Sequence, residues 1–339
     1  MTTGQPGTTR QTDPAGGTDA AARTNRTGGT DAAARPDSAG GTDVRPPEVA
    51  SARAGARLRG FARACRPRQW LKNLLVFAAP AAAGVLTTPG GLLRTLVAFA
   101  AFCLAASGTY LLNDARDVEG DRRHPRKRLR PIAAGLVPVA AARVAGLTFI
   151  AAAPAVAALA GGWRLPAVVA GYVALTLAYT YWLKQQVVVD LVAVAGCHLI
   201  RAFAGAVAVD VPVTSWFLVV VSLGSLQVVV GKREAEMRNR GADGTRATLV
   251  TYTPSYLAHV RSMASGAMIV TYCLWALQIH ADTLYGVSIV PFVLIILRHN
   301  LLVDRGVGEE PEELALRDRP LQLYTALLVA LLAVGIYVK

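Results

Sequence analysis

From Leu71 to its end the chain is a succession of apolar runs, most of them close to the length that crosses a bilayer. In lipid the backbone must satisfy its own N–H and C=O groups, and runs of this length and composition do so as helices. A soluble domain of 339 residues would carry more than 17% charged side chains and fewer than 53% hydrophobic ones. The chain therefore reads as an all-α, polytopic membrane protein. Nine helices are expected, over Leu71–Thr87, Leu92–Leu112, Val137–Ala160, Leu165–Leu183, Val187–Val209, Val213–Val230, Tyr256–Ile279, Leu284–Leu297 and Leu321–Val338.

The formal net charge of +13 would suit a nucleic-acid binder, but its distribution follows topology instead. With nine spans, alternate loops collect the cations: Arg116–Arg130, Lys184, Lys232–Arg246 and Arg298–Arg319. The opposite turns hold little beyond Arg94 and Arg164. This is the positive-inside pattern. It implies a multi-pass cell-membrane protein, no nucleic-acid partner, a cytoplasmic N-terminus and an exterior C-terminus. Trp163, Trp182, Trp216 and Tyr285 fall near span ends, as an interfacial aromatic belt requires.

Residues 1–58 are a different material. "GGTDAAAR" starts at Gly16 and Gly28, and "GGTDVR" at Gly40. A 12-residue period with no large apolar position cannot offset chain entropy by burial, so a disordered tail is expected. A single membrane domain then occupies 59–339, with no cleavable leader before it. The four cysteines lie apart and read as small packing residues.

One stretch resists that apolar description: "YLLNDARDVEGDRRHPRKRLRPIAAG", from Tyr110. At about 100° per residue, Asn113, Asp114, Asp117 and Asp121 share one side of a helix that prolongs the second span. Topology needs basic residues and gains little from aspartates. Clustered carboxylates repel unless a cation sits among them, and hard oxygens in an incomplete cage suit Mg²⁺ bridging to substrate phosphates. Lys127, Arg128 and Arg130 suit phosphate oxygens directly.

"NDARDVEGD" at the end of a second span, followed by "RPIAAG", resembles the UbiA superfamily of intramembrane prenyltransferases. The likeness is closer to its decaprenyl-phosphate phosphoribosyltransferase branch. It is carried by "RPRQWLKNLLVFAAP" from Arg66, "YTYWLKQQVVVDLVAVAG" from Tyr179, "RAFAGAVAVDVPVTSWF" from Arg201 and "GKREAE" from Gly231. The resemblance implies a nine-helix bundle with a cavity open to the cytoplasmic side and to lipid. Superfamily members usually carry a second acidic motif after the sixth span. Here Lys232 and Arg233 stand in that region, with Glu234 and Glu236 behind them. One acidic and one cationic cluster suit two phosphorylated substrates, phosphoribosyl pyrophosphate and a polyprenyl phosphate. The implied reaction is Mg²⁺-dependent transfer of 5-phosphoribosyl to the lipid phosphate, with pyrophosphate leaving, for envelope arabinan precursors.

Asp114 and Asp117 are the expected catalytic acids, with Asp190 a candidate to stabilise the ribosyl cation. Lys72, Asn73, Tyr179, Lys184, Arg201, Lys232, Arg233 and Glu236 are the further candidate substrate ligands. Charges within spans usually face a cavity, which favours Arg201 and Asp190. His198 reads as a satisfied interior histidine, and Arg143 and Arg261 as side chains that snorkel to the surface. The alternatives are prenyl transfer from a prenyl diphosphate to an aromatic acceptor, and a transporter. The first lacks its second acidic motif and the second lacks an internal repeat. Self-association and prenyl chain length stay open.

Overall fold

A computed structural model describes residues 47–240, 247–279 and 283–338. The repeats of the expected tail lie outside the described residues. Residues 47–58 do not continue that tail: they belong to helix α1, Pro47–Ala64. The compact unit begins at Pro47.

The described elements are helical throughout. After α1 come a 3-10 segment, Pro67–Phe77, and α2, Ala78–Ala82. Then follow α3 (Pro89–Arg116), α4 (Val118–Arg123), α5 (Val139–Ala158), α6 (Arg164–Tyr181) and α7 (Val189–Val209). The last five are α8 (Ser215–Arg240), α9 (Pro254–Leu274), α10 (Thr283–Asp304), α11 (Pro311–Arg317) and α12 (Arg319–Tyr337).

Seven of these, α3, α5, α7, α8, α9, α10 and α12, are long and apolar enough to cross a membrane. Among the described residues the expected count of nine full spans is therefore not confirmed. The fourth expected span is α6, which has 18 residues and a tyrosine-rich end. The first is not one helix. Pro67 sits at its first position and disfavours a right-handed helical Arg66; Arg66 is left-handed, at φ 54°. A tight 3-10 run follows, α2 lasts five residues, and Gly84 turns the chain at φ 70°. This broken segment packs on α3 and α7 along one side. Near its far end the Tyr337 hydroxyl of α12 donates to the Ala81 carbonyl at 3.2 Å, so the first and last elements meet.

Helix α3 is the hub: 61% of its apolar window is buried, against 6% for α12, which faces lipid along nearly its whole length. The core around α3 is built from Ala98, Ala101, Phe102, Ala105 and the facing Ala153, Val169, Tyr172 and Ala204. Lipid is as apolar as a leucine side chain, so helices in it gain little by hiding apolar surface and associate by close packing over small residues. Two crossings use that rule. At Gly108 a side chain would meet the Gly146 carbonyl at 2.8 Å, where α3 crosses α5. At Gly205 it would run into the Val76 carbonyl, where α7 lies against the 3-10 segment.

Two expectations on polar residues are corrected here. Arg261 does not snorkel; it is buried on α9 and pairs with Glu234 at 2.8 Å and Asp304 at 2.6 Å. A guanidinium held inside by two carboxylates is cheaper than one stretched to the surface through packed helices. Tyr285 is not a belt residue: it is buried, edge-on to Trp275 at 5.4 Å. Trp163 and Trp182 are exposed, as a belt requires.

The Val76 carbonyl belongs to the backbone and cannot turn away from a new methyl group. Gly205→Ala is expected to destabilise the fold by about 3 kcal/mol, the upper end of ordinary overpacking. Thermal unfolding in detergent, compared with Gly171→Ala, where the added carbon meets nothing within 4 Å, measures it.

Candidate active site

The polar groups gather where α3, α6, α8 and α10 end and α7 and α9 begin. The acidic stretch is a nearly unbroken helical ladder. The Asp117 N–H donates to the Asn113 carbonyl, and the Asp121 N–H to the Asp117 carbonyl, both at 2.9 Å. Only Asp117 leaves helical geometry, between α3 and α4. Asp114 and Asp121 do share a side: Arg130 donates to Asp114 at 3.1 Å and to Asp121 at 2.7 Å. One Arg66 nitrogen donates to both Asp114 oxygens, at 2.6 and 2.8 Å, while its guanidinium lies over the Tyr110 ring. Asp117 points elsewhere, with Lys184 at 3.9 Å. Asn113 is half-buried, as is Lys127, and Arg128 is exposed on the turn between them and Arg130.

Among the described residues no three acidic, histidine or cysteine side chains converge as a metal cage. The donor set nevertheless fits a Mg²⁺ ion that takes one or two carboxylates and completes its shell with water and phosphate. Asp117 is more than one-third exposed and meets only a loosely placed lysine.

The basic wall stands across the mouth. On α8, Arg233 contacts Glu236 at 3.2 Å and the Tyr179 hydroxyl at 3.3 Å, and lies 3.5 Å from Asp190. Beside Tyr179 on α6, the Thr180 carbonyl accepts from Arg116 of α3 at 3.2 Å. The end of α6 thus touches the acidic helix on one side and the basic helix on the other. Lys184 lies beside Asp117, whereas Arg233 is buried against Asp190, Glu236 and Tyr179. His198, on α7, has its Nδ1 buried without a hydrogen-bond partner among the described residues, so it is not the satisfied interior histidine the sequence suggests.

Two candidates prove to be supports. Asp190 is wholly buried, so it does not face the opening. It accepts from Tyr252 at 2.6 Å and from Thr248 at 3.3 Å, and its remaining charge is directed at Arg233. Burial, with the Asp190 carboxylate, pushes the Tyr252 hydroxyl well above the usual phenol value, so it stays a donor. Asn73 is also fully buried; its oxygen accepts from Arg201 at 2.7 Å and its amide donates to Cys103. Arg201 in turn donates to the Tyr172 hydroxyl at 2.7 Å and the Cys197 carbonyl at 2.8 Å.

Four residues of the mouth escape a reading by motif: Arg66, Thr248, Tyr252 and Glu312. Glu312, on α11, meets the Lys72 ammonium at 2.6 Å and is itself half-buried. Burial works against its charge, but Lys72, helped by Lys232, outweighs it and holds the carboxyl below its ordinary value. The signal was present in "GEEPEE", an acidic run in a loop where topology favours cations. Beside it, an apolar cleft of about 680 Å³ runs between α8, α10 and α12, lined by Gly224, Phe292, Ile296, Leu314, Leu321 and Val329.

A helical bundle that sinks paired acids and bases into one mouth, above an apolar cleft, has the build of an intramembrane enzyme for phosphorylated lipids. The sequence profile of the UbiA prenyltransferase family matches residues 74–323, and the chain belongs to that family. It is 45% identical over 300 residues to the decaprenyl-phosphate phosphoribosyltransferase of Mycolicibacterium smegmatis, covering 82% of this chain and 92% of that protein. The protein of the same name from Corynebacterium glutamicum is 40% identical over 289 residues, covering 82% and 87%. In fold, the chain is similar to a UbiA homolog from Archaeoglobus fulgidus bound to GPP and Mg²⁺, with a TM-score of 0.65, 17% identity, and coverage of 82% of this chain and 99% of that one.

Removing the Tyr252 hydroxyl takes one short bond from a buried carboxylate and leaves the rest in place. Tyr252→Phe is expected to cost about 2 kcal/mol, as for hydrogen bonds to charged groups. Denaturation in detergent would register it, and a change under 0.5 kcal/mol would contradict the assigned support role.

Proposed function

We propose that the protein transfers 5-phosphoribosyl from phosphoribosyl pyrophosphate to a polyprenyl phosphate of decaprenyl type, at the cytoplasmic face of the membrane. The observation that carries this reading is that the end of α6 and the turn after it meet both motif helices: Lys184 lies 3.9 Å from Asp117 of the acidic stretch, and the Tyr179 hydroxyl accepts from Arg233 of the basic one. The relatives named decaprenyl-phosphate phosphoribosyltransferase support it, at 40 to 45% identity across most of their length. A second acidic motif, which would suit a prenyl diphosphate as donor, is replaced by Lys232 and Arg233.

An oxygen of the lipid phosphate attacks C1 of the ribose, the bond from C1 to the diphosphate oxygen breaks, and pyrophosphate departs. The attacking phosphate is already largely ionised near neutral pH, so no side chain need remove a proton from it. Lys72, Lys184, Arg201, Lys232 and Arg233 are the cations for the phosphate groups, with Arg130, Lys127 and Arg128 at the rim. Asp117, with Asn113, would hold Mg²⁺, and Asp114 and Asp121 would join once released from Arg66 and Arg130; the ion would neutralise charge on the leaving diphosphate. Asp190 keeps Arg233 in place and does not touch the ribose. The cleft beside α12 has the width and apolar lining for the first part of the polyprenyl chain. By the charge asymmetry of the loops, the mouth faces the cytoplasm.

Purified protein given radiolabelled phosphoribosyl pyrophosphate, decaprenyl phosphate and Mg²⁺ should move label into the organic phase and release pyrophosphate. Chelation should stop both, and added Mg²⁺ should restore them. Asp117→Asn should reduce the rate at least about 100-fold, the order expected when a group stabilising leaving-group charge is lost. Label that stays in water removes the phosphoribosyl reading; an Asp117→Asn enzyme at full rate removes the metal assignment.

A further inference from the structure

Helix α11 lies over the mouth, and nothing in the reaction above gives it a task. It is the short helix between α10 and α12, and it packs against the 3-10 segment that carries Lys72. Its first turn bears Glu312 and Glu313. Glu312 is half-buried and meets Lys72 at 2.6 Å, and Glu313 reaches the exposed Arg68 of the same segment at 3.6 Å. At its other end Asp318 caps α12 by accepting from the Leu321 N–H at 2.9 Å, and the same carboxylate binds Arg298 of α10. One end of the strap is thus anchored to two spans. The other is held to the mouth by charge.

We propose that Glu312 is an internal competitor for substrate phosphate: its carboxylate occupies the Lys72 subsite until a phosphate displaces it. This rests on the reading of Lys72 as a phosphate ligand given above. Two features fit an occupant that must leave and not a permanent support. Lys72 keeps a second partner, Gln69 at 2.8 Å on its own segment, and stays in place when the carboxylate goes. Glu312 belongs to a seven-residue helix tethered at its far end, so it can withdraw without unfolding a span.

A carboxylate tethered beside a lysine competes at high effective concentration. Weak single-point anions then fail to enter, while a diphosphate or phosphomonoester, with several oxygens for several cations, succeeds. The contact therefore sets an affinity threshold for the subsite and keeps a half-buried lysine neutralised while no substrate is bound. Displacement also frees α11 to move, which ties occupancy of the subsite to the uncovering of the mouth.

The test is pyrophosphate binding to the purified full chain, by calorimetry in detergent, for wild type, Glu312→Gln, Lys72→Gln and the double variant. Removing the competitor should tighten pyrophosphate binding about fivefold, the worth of one partly screened ion pair. The gain should vanish in the Lys72→Gln background, because the two residues act on each other. Equal or weaker binding by Glu312→Gln overturns the proposal, as does a gain that survives loss of Lys72. Melting temperatures of all four proteins show whether a loss of binding is a loss of fold. A folded Glu312→Gln protein is the one the comparison uses, with Glu312→Asp as the second variant if it is not. The label-transfer assay separates this from the reading it rests on. Transfer with no gain in binding removes the competitor alone; a gain in binding with no transfer removes the phosphoribosyl donor and leaves the competitor standing.

Discussion

A carboxylate at the edge of an apolar bundle stays charged only if its counter-charges come with it. Asp114, buried at the end of the most central helix, draws Arg66 from the first segment and Arg130 from the loop after α4. Much else in the mouth depends on that arrangement. Holding Arg66 fixes the left-handed turn that opens the 3-10 segment, and the segment places Lys72 and Asn73. Asn73 reaches across to Arg201, 128 residues along the chain. Arg130 ties the same carboxylate to Asp121 and so keeps α4 in line with α3. Removing one partner would leave an uncompensated buried charge, which costs more than such a pair contributes when intact.

The mouth has two kinds of polar residue, and burial separates them. Asp190, Asn73, Glu234 and Arg261 are all inside, each with two or more partners. They hold neighbouring groups in position. Asp117, Lys184 and Arg130 are only partly covered and lie where an incoming phosphate would find them. An enzyme that stabilises developing charge needs both sets, because dipoles and ions preorganised by a packed layer spend nothing on rearrangement during reaction.

Much of this was legible in the sequence, and the limits have physical causes. Span positions follow from apolar length, so seven of the nine expected runs appear as helices of that kind, and the eighth as α6. The first failed because 3-10 geometry runs to Phe77, α2 lasts five residues and Gly84 turns the chain at φ 70°, and hydropathy does not see dihedral angles. The acid face was legible through the 3.6-residue period, which joins Asp114 to Asp121 on Arg130. The partners of those acids were not, since Arg66 lies 48 residues from Asp114 and Tyr252 lies 62 from Asp190. Asp190 looked like a site residue for a sound reason, being a charge inside a span. What the sequence does not show is its burial, with Tyr252, Thr248 and Arg233 around it. Glu312 escaped because basic residues dominated the reading of its loop.

Arg233 and Glu234 are consecutive on α8, about 100° apart around its axis. The cation faces Asp190 of α7 and the anion faces Arg261 of α9. This pair acts as a rotational key. Turn α8 by a single residue toward α7 and Glu234 swings against Asp190, acid upon acid in a medium with little water to screen them. No neighbouring register is tolerable, so a span whose apolar surface would slide freely in lipid is indexed to one angle by two adjacent side chains of opposite sign.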